Sequence, residues 1–452
     1  TDVTIGASGD TVALACGASQ TGFGRTGTVD WDTSIHTGTV TAATGKGYFV
    51  NTTSGGITVN LPAAAVGSIV AVSDYASTSA SNNITVAPNG SEKINGVNAD
   101  YTISTAGLAV TLVYADATRG WKSVTGSDAD STGLAPAYIT ATVSGACNTL
   151  TTVDTNYKIA KFLGPGTFCV SAGNGPLSLS DYMVVAGGGG GGTYGGGGGA
   201  GGYRESHCAT TSGPYTASPL AAPNSPSTGS LSISPGPYSI VIGAGGAVAG
   251  TPGPSNPVAD NGNPSTFSSI TSAGGGGGGS GTSGGNGGHG GSGGASGPNA
   301  PSGGGTIGNG NTPPVSPPQG NNGGMSDHLP GVYQLGGGGG GAGAVGNGPP
   351  SPGSPSATSG GIGGAGVTTE ISGSPVAYAG GGGGGSDNPP RPGAPGGTGG
   401  GGTGGTTPPT AGTTAGTANT GGGGGAGGGG CAPHQIGSVG GSGIVYIRYR
   451  FQ

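Results

Sequence analysis

The chain has 452 residues, of which 116 are glycine, 6% are charged and 5% are aromatic, with a formal net charge of −6. So little positive charge excludes binding of nucleic acid by counterion release and attraction to anionic membranes. No apolar stretch approaches the about 18 residues that a membrane-spanning helix needs.

Residues 1–29 are rich in Thr, Gly, Ala and Ser with short apolar alternations such as Val3-Thr4-Ile5, and read as a β stem fragment. From 30 to 125 the pattern is a single β module. Its strand-like segments are Gly47–Thr52, Gly56–Pro62, Ser68–Val72, Asn83–Ala87, Lys93–Val97, Tyr101–Ile103, Leu108–Tyr114 and Gly120–Val124. β-branched residues alternate with polar ones, and turn signals recur about every ten residues, as in a small sandwich or prism. Residues 126–137 read as a linker. A second β segment spans 138–180, with strands expected at Ile139–Val143, Tyr157–Phe162 and Gly166–Val170.

Glycine dominates from 181 to 452. Unbroken runs occupy Gly187–Gly192, Gly195–Gly199, Gly274–Gly279, Gly336–Gly341, Gly380–Gly385 and Gly421–Gly425, separated by Pro-, Ser-, Asn- and Thr-rich segments. Between Gly187 and Gly443 the charged residues are Arg204, Glu205, Asp260, Asp327, Glu370, Asp387 and Arg391, with no lysine. Glycine loses more backbone entropy on ordering than any other residue, yet it alone lets extended backbones approach axis to axis. Backbone N–H···O and Cα–H···O bonds between neighbours can then hold a bundle of three-residue-per-turn helices. Apolar islands at Asp181–Ala186, Leu231–Gly243, Ser265–Ile270 and Gly443–Tyr449 supply a small anchoring sheet. The expected fold is therefore all-β: small sandwich or prism modules followed by packed polyglycine II helices anchored by a short sheet.

The segment Asp181-Tyr182-Met183-Val184-Val185-Ala186 leading into Gly187–Gly192, then Gly198–Ser206, resembles the glycine-rich domain of tail-fibre proteins from marine bacteriophages. The closing segment Gly440–Tyr449 is similar to that domain's last strand, and Tyr48–Trp121 resembles a β module of the same fibres. The resemblance covers about residues 30–452. A looser likeness, of architecture alone, is to the tip adhesins of T-even phages. These resemblances imply a virion tail fibre, assembled in the host cytoplasm and working outside the cell. They also imply a homotrimer that contacts other tail proteins and a bacterial surface glycan or outer-membrane protein. A stiff structural spacer is the alternative, and an ice-binding protein a further one.

Chemistry concentrates in four loop segments. They are Tyr203–His207, Met325–Tyr333, Ser386–Arg391 and Cys431–His434, each joining a charge or imidazole to an apolar or aromatic residue beside Pro or Gly. Stiff loops of this kind have little ordering entropy left to lose on binding. The receptor-binding candidates are His207, Met325, Asp327, His328, Leu329, Tyr333, Asp387, Asn388, Arg391 and His434. Tyr203-Arg204-Glu205 belongs to the scaffold motif and is the weakest part of that set. His207 and Cys208 with Cys431 and His434 offer four Zn²⁺-type ligands, but their spacing repeats no known finger, so neither metal nor cofactor is expected. The five cysteines, Cys16, Cys147, Cys169, Cys208 and Cys431, form no disulfide framework in so long a chain, and Cys147 and Cys169 read as core residues. Matches to GxGxxG are inevitable in such sequence, and they lack the strand–turn–helix context of a nucleotide site. Asp74, Asp100 and Asp116 lie on turns, and Glu370 and Asp387 are isolated, so no pair of catalytic carboxylates is suggested and no enzymatic activity is expected.

Overall fold

The computed structural model describes residues 29–124, 138–173, 178–222, 229–248, 258–281, 285–298, 305–330, 332–354, 357–387, 391–406, 413–429 and 435–452. Most of the expected stem, the linker at 126–137, Asn388, Cys431 and His434 lie outside them. The chain divides into two compact units, 1–135 and 136–452.

The first unit carries β1 (Asp30–His36), β2 (Val40–Thr41), β3 (Lys46–Val50), β4 (Ile57–Asn60), β5 (Ile69–Asp74), β6 (Ile84–Ala87), β7 (Tyr101–Ile103), β8 (Ala109–Asp116) and β9 (Gly120–Ser123). They form two sheets, β1-β3-β5-β8-β9 and β2-β4-β6-β7. As expected, two sheets enclose one core, formed by residues such as Val50, Val59, Val72, Ile84, Ile103, Leu112 and Trp121. The route of the chain differs from a sandwich of hairpins. β1, β3 and β5 are parallel, as are β2, β4 and β6, so the backbone coils from one sheet to the other. Each strand of one sheet thus serves as the crossover that two parallel strands of the other require. Apolar/polar alternation is the same for either strand direction, which is why the pattern alone does not distinguish coil from hairpin.

The second unit carries β10 (Thr140–Val143), β11 (Thr149–Val153), β12 (Tyr157–Phe162), β13 (Gly166–Ala172), β14 (Leu179–Val185), β15 (Tyr203–Ser206), the helical turn α1 (Ala209–Ser212), β16 (Ala221–Ala222), β17 (Leu231–Ser232), β18 (Gly236–Val241), β19 (Ser265–Phe267), β20 (Ile270–Ser272), β21 (Asp327–Leu329), β22 (Tyr333–Leu335), β23 (Val367–Thr369), β24 (Val376–Tyr378) and β25 (Ile444–Arg450). The apolar islands anchor the glycine through two sheets, not one: β10-β13-β18-β19-β20, and β11-β12-β25-β14-β15-β16 with β17 on β14. Strands of the 138–180 segment enter both, β12 pairing with β25 and β13 with β18. Phe162, Phe168, Phe267, Tyr182, Val445 and Tyr449 pack between the sheets. The far face of the second sheet, with Met183, Val185, Tyr203 and Tyr446, is covered by Val367, Ile371 and Tyr378. Among the described cysteines, Cys147 and Cys169 are exposed and Cys208 is buried. Cys147 sits on a turn at φ 63°, and Cys169 takes an exposed position between the buried Phe168 and Val170 of β13.

From this base the glycine runs rise as packed polyglycine II helices, and their hydrogen bonds repeat every third residue. Gly187 and Gly190 donate to Asn263 and Asp260, Gly188 and Gly191 to Gly441 and Ser438, and Gly189 and Gly192 to Gly199 and Gly196, all at 2.8–3.0 Å. The same helix accepts from Gly246, from Gly275 and Gly278, and from Gly424 and Gly427. A three-fold helix so surrounded has no outward side, and every residue from Gly187 to Gly202 is buried. A Cβ on Gly188 would lie 2.1 Å from the Gly422 carbonyl oxygen, a backbone atom held by its own lattice of bonds. The unbroken runs are these interior helices. Peripheral helices need glycine only where they face inward, and exposure there follows the three-residue turn: Ala244 and Ala247, Ile362 and Ala365, Pro392, Pro395 and Thr398, and Ile436 and Val439 point outward.

Candidate functional site at the tip of the glycine bundle

At the base, three charged side chains are buried and fully engaged. Asp181 accepts from Ser206 Oγ (2.9 Å), Ser230 Oγ (2.7 Å), Ser212 Oγ (2.6 Å) and the Cys208 N–H (2.7 Å). Glu205 accepts from Tyr203 Oη (2.7 Å), the Ser218 N–H (3.0 Å) and Thr369 Oγ1 (2.6 Å). Arg448 donates to Ser212 O (2.6 Å) and Asp154 Oδ2 (3.2 Å), and its guanidinium stacks 4.7 Å from the Tyr215 ring centre. A buried charge is tolerated when hydrogen bonds replace its water. These groups fasten the 207–218 and 367–371 segments onto the second sheet, and their bonding capacity is spent on doing so.

His207 belongs here and not with Met325, Asp327, Tyr333, Asp387 and Arg391. Its ring lies edge-on to Tyr215 (4.3 Å between centres), with Nε2 3.3 Å from Gly213 O. Tyr203 and Glu205 are buried in the same place. Of the conjectured four-ligand metal set, His207 and Cys208 follow β15 at the base, and Cys431 and His434 lie outside the described residues. Gly429 and Gln435 meet Tyr194 at the opposite end of the bundle. Gly195–Gly202, the run linking Tyr194 to β15, spans about 25 Å at 3.1 Å per residue. Among the described residues no group of three or more His, Cys, Asp and Glu is placed to hold a metal ion.

At that opposite end, the tip, two of the four loop segments come together. Met325 is exposed at the top of its helix. β21 and β22 then form a hairpin that pairs Asp327 with Leu335, His328 with Gln334 and Leu329 with Tyr333. Tyr333 is buried and donates to Asp327, which also accepts from the Gly353 N–H at 2.8 Å. Burial and that bond to Asp327 push the Tyr333 hydroxyl up to about 12, so it remains a donor at any physiological pH. The Arg391 guanidinium lies 5.1 Å from the Tyr333 ring centre, joining the 386–391 loop to the hairpin. Ser386 Oγ donates to Arg391 O at 2.6 Å.

Tyr194, which the sequence reading did not single out, stands between the two loops. It occupies the turn joining the first two glycine helices, at φ 48°, and donates to Asp387 Oδ2 at 2.9 Å while also bonding Gln334 Oε1. Burial drives its pKa up, and the neighbouring Asp387 adds to the effect. The available signal was an aromatic residue alone in a two-residue break between glycine runs.

The arrangement defines a class: a polyglycine II bundle on a two-sheet base, with its mixed-chemistry loops gathered at the tip. The chain belongs to the glycine-rich domain family, whose model matches residues 163–450, from the end of β12 to the last residue of β25. No curated protein matches the chain.

Proposed function

We propose that the chain is a bacteriophage tail-fibre protein that attaches the virion to a bacterial surface through the tip loops of the glycine bundle. One observation carries this reading. β10 and β25, which bracket the second unit in sequence, both lie in the base sheets, while Met325, the β21–β22 hairpin, Asp387 and Arg391 gather at the far end of the bundle. Loops with chemistry therefore stand away from the base sheets, on a support that backbone bonds make stiff. Stiffness favours recognition, because a preordered surface loses little entropy on binding.

The proposed partners are a bacterial surface glycan or outer-membrane protein, other tail proteins, and two further copies of the chain in a homotrimer. The proposed action is attachment without catalysis, on the virion and outside the cell. Among the described residues, those pointing outward on the peripheral helices are mixed in type and make no uniform threonine or alanine face, which does not favour ice binding.

The test is binding of the purified, labelled chain to a panel of marine bacteria, beside a variant with 325–333 and 386–391 exchanged for Gly/Ser segments. The expected result is saturable binding to a few strains, lost on the exchange while melting of the bundle is unchanged. A folded chain that binds no strain would replace attachment by the stiff-spacer reading.

A further inference from the structure

Separate loop fingers, each replaceable alone, would share no side chain at the tip. The contacts around Tyr194 contradict that picture. Its hydroxyl bonds Asp387 on one loop and Gln334 in the hairpin, partners 193 and 140 residues away in sequence. Its ring fills the space beside Gly429, where a Cβ would come within 1.6 Å of Cε2, and beside Gly281, where a Cβ would lie 2.8 Å from Cδ1. Its N–H donates to Gln435 O at 3.3 Å. One side chain thus touches the hairpin at Gln334, Asp387, Gly281 and Gly429. The Arg391–Tyr333 stack and the Gly353–Asp327 bond extend the same connection outward.

We infer that Tyr194 is a buried positioning residue that locks the β21–β22 hairpin and Asp387, with Arg391 stacked on Tyr333, into one composite binding surface. Specificity then belongs to the combination of loops. Tyr194 itself is only 7% exposed and acts through its neighbours, not by touching the receptor. A hydroxyl bonded to a carboxylate in a buried setting is worth more than a neutral pair at the surface. Removing only the hydroxyl therefore loosens both loops at once while the ring still packs. The part of this inference that concerns attachment rests on the function proposed above; the locking does not.

The experiment is hydrogen exchange on the full chain carrying Tyr194→Phe, with cell binding measured alongside. Amides of 327–335 and of 386–387 should both exchange about tenfold faster, those of Gly187–Gly192 should not change, and binding should weaken about tenfold. Tyr194→Phe with Asp387→Ala should loosen the hairpin no more than Tyr194→Phe alone, since both cut one bridge. Acceleration confined to one loop, or to neither, would overturn the lock. Acceleration of both loops with unchanged binding to cells that the loop-exchanged chain no longer recognises would overturn the positioning role. Coupled exchange in a chain that binds no cells would support the lock and remove the attachment reading instead.

Discussion

The two units reach order by opposite means. In the first, side chains from two coiled sheets exclude water around Val59, Ile84, Ile103 and Trp121, and burial of apolar surface is the main favourable term. In the interior of the glycine bundle almost no side chains exist to bury. Stability there comes from backbone bonds in three directions from each helix, set against a backbone ordering cost of about 1–2 kcal/mol per residue. A net gain of about 1 kcal/mol per hydrogen bond offsets that cost only if nearly every bond is made and the helices stay in close contact. The first design tolerates exchange among apolar residues of similar volume; the second accepts an alanine at a few interior positions such as Ala200 and Ala426 but no added atom at positions such as Gly188.

The sharpest way to break the comparison is to add one methyl group. Gly188→Ala places Cβ against the Gly422 carbonyl and should destabilise the second unit by about 3 kcal/mol or more, read as a lowered melting transition. The matching deletion in the first unit, Ile84→Ala, should cost about 2–5 kcal/mol and leave the bundle's transition in place. A Gly188→Ala chain that melts like the parent would mean the helices are not in contact.

A smaller effect tests the first unit by pH. Burial alone would raise the pKa of Asp74, but N–H donors from Gly107, Ser79 and Thr78 outweigh it and hold the carboxyl below its ordinary value. A carboxylate with a depressed folded pKa stabilises the fold above its unfolded pKa, and that contribution is lost as pH falls through the folded value. The first unit should therefore lose stability on acidification below about pH 4. Asp74→Asn should cost about 1–3 kcal/mol at neutral pH and flatten the acid slope of that unit in denaturant titrations.

The smallest effect is expected on the outside of the bundle. Ile362 points outward from a peripheral helix, and Ile362→Ser should change stability by less than about 0.5 kcal/mol. A large loss at Ile362 would show that this face is covered by another chain, as the proposed trimer allows, and would sharpen the contrast between interior and peripheral helices.

Much of the fold was legible in the sequence. β4, β6 and β7 fall within a residue or two of the strands read from alternation, because half-buried strands impose a two-residue period wherever they pair. Parallel coiling in the first unit was not legible, since alternation does not encode strand direction. At the site, Met325–Tyr333 and Ser386–Arg391 stood out as islands of chemistry, whereas His207 looked the same in sequence and belongs to the base. What separates them is the distance along a glycine helix, which no local pattern reports.

Sequence by itself determined that backbone must pack against backbone between 187 and 443, because unbroken glycine leaves nothing else to pack. It also determined that apolar islands such as Asp181–Ala186 and Gly443–Tyr449 must anchor that packing. Only the tertiary structure decided which loops share the tip. Tyr194, Gln334 and Asp387 lie on runs that donate and accept identical backbone bonds, so the order in which those runs assemble into the bundle, and not any feature of the loops, brings the three side chains together.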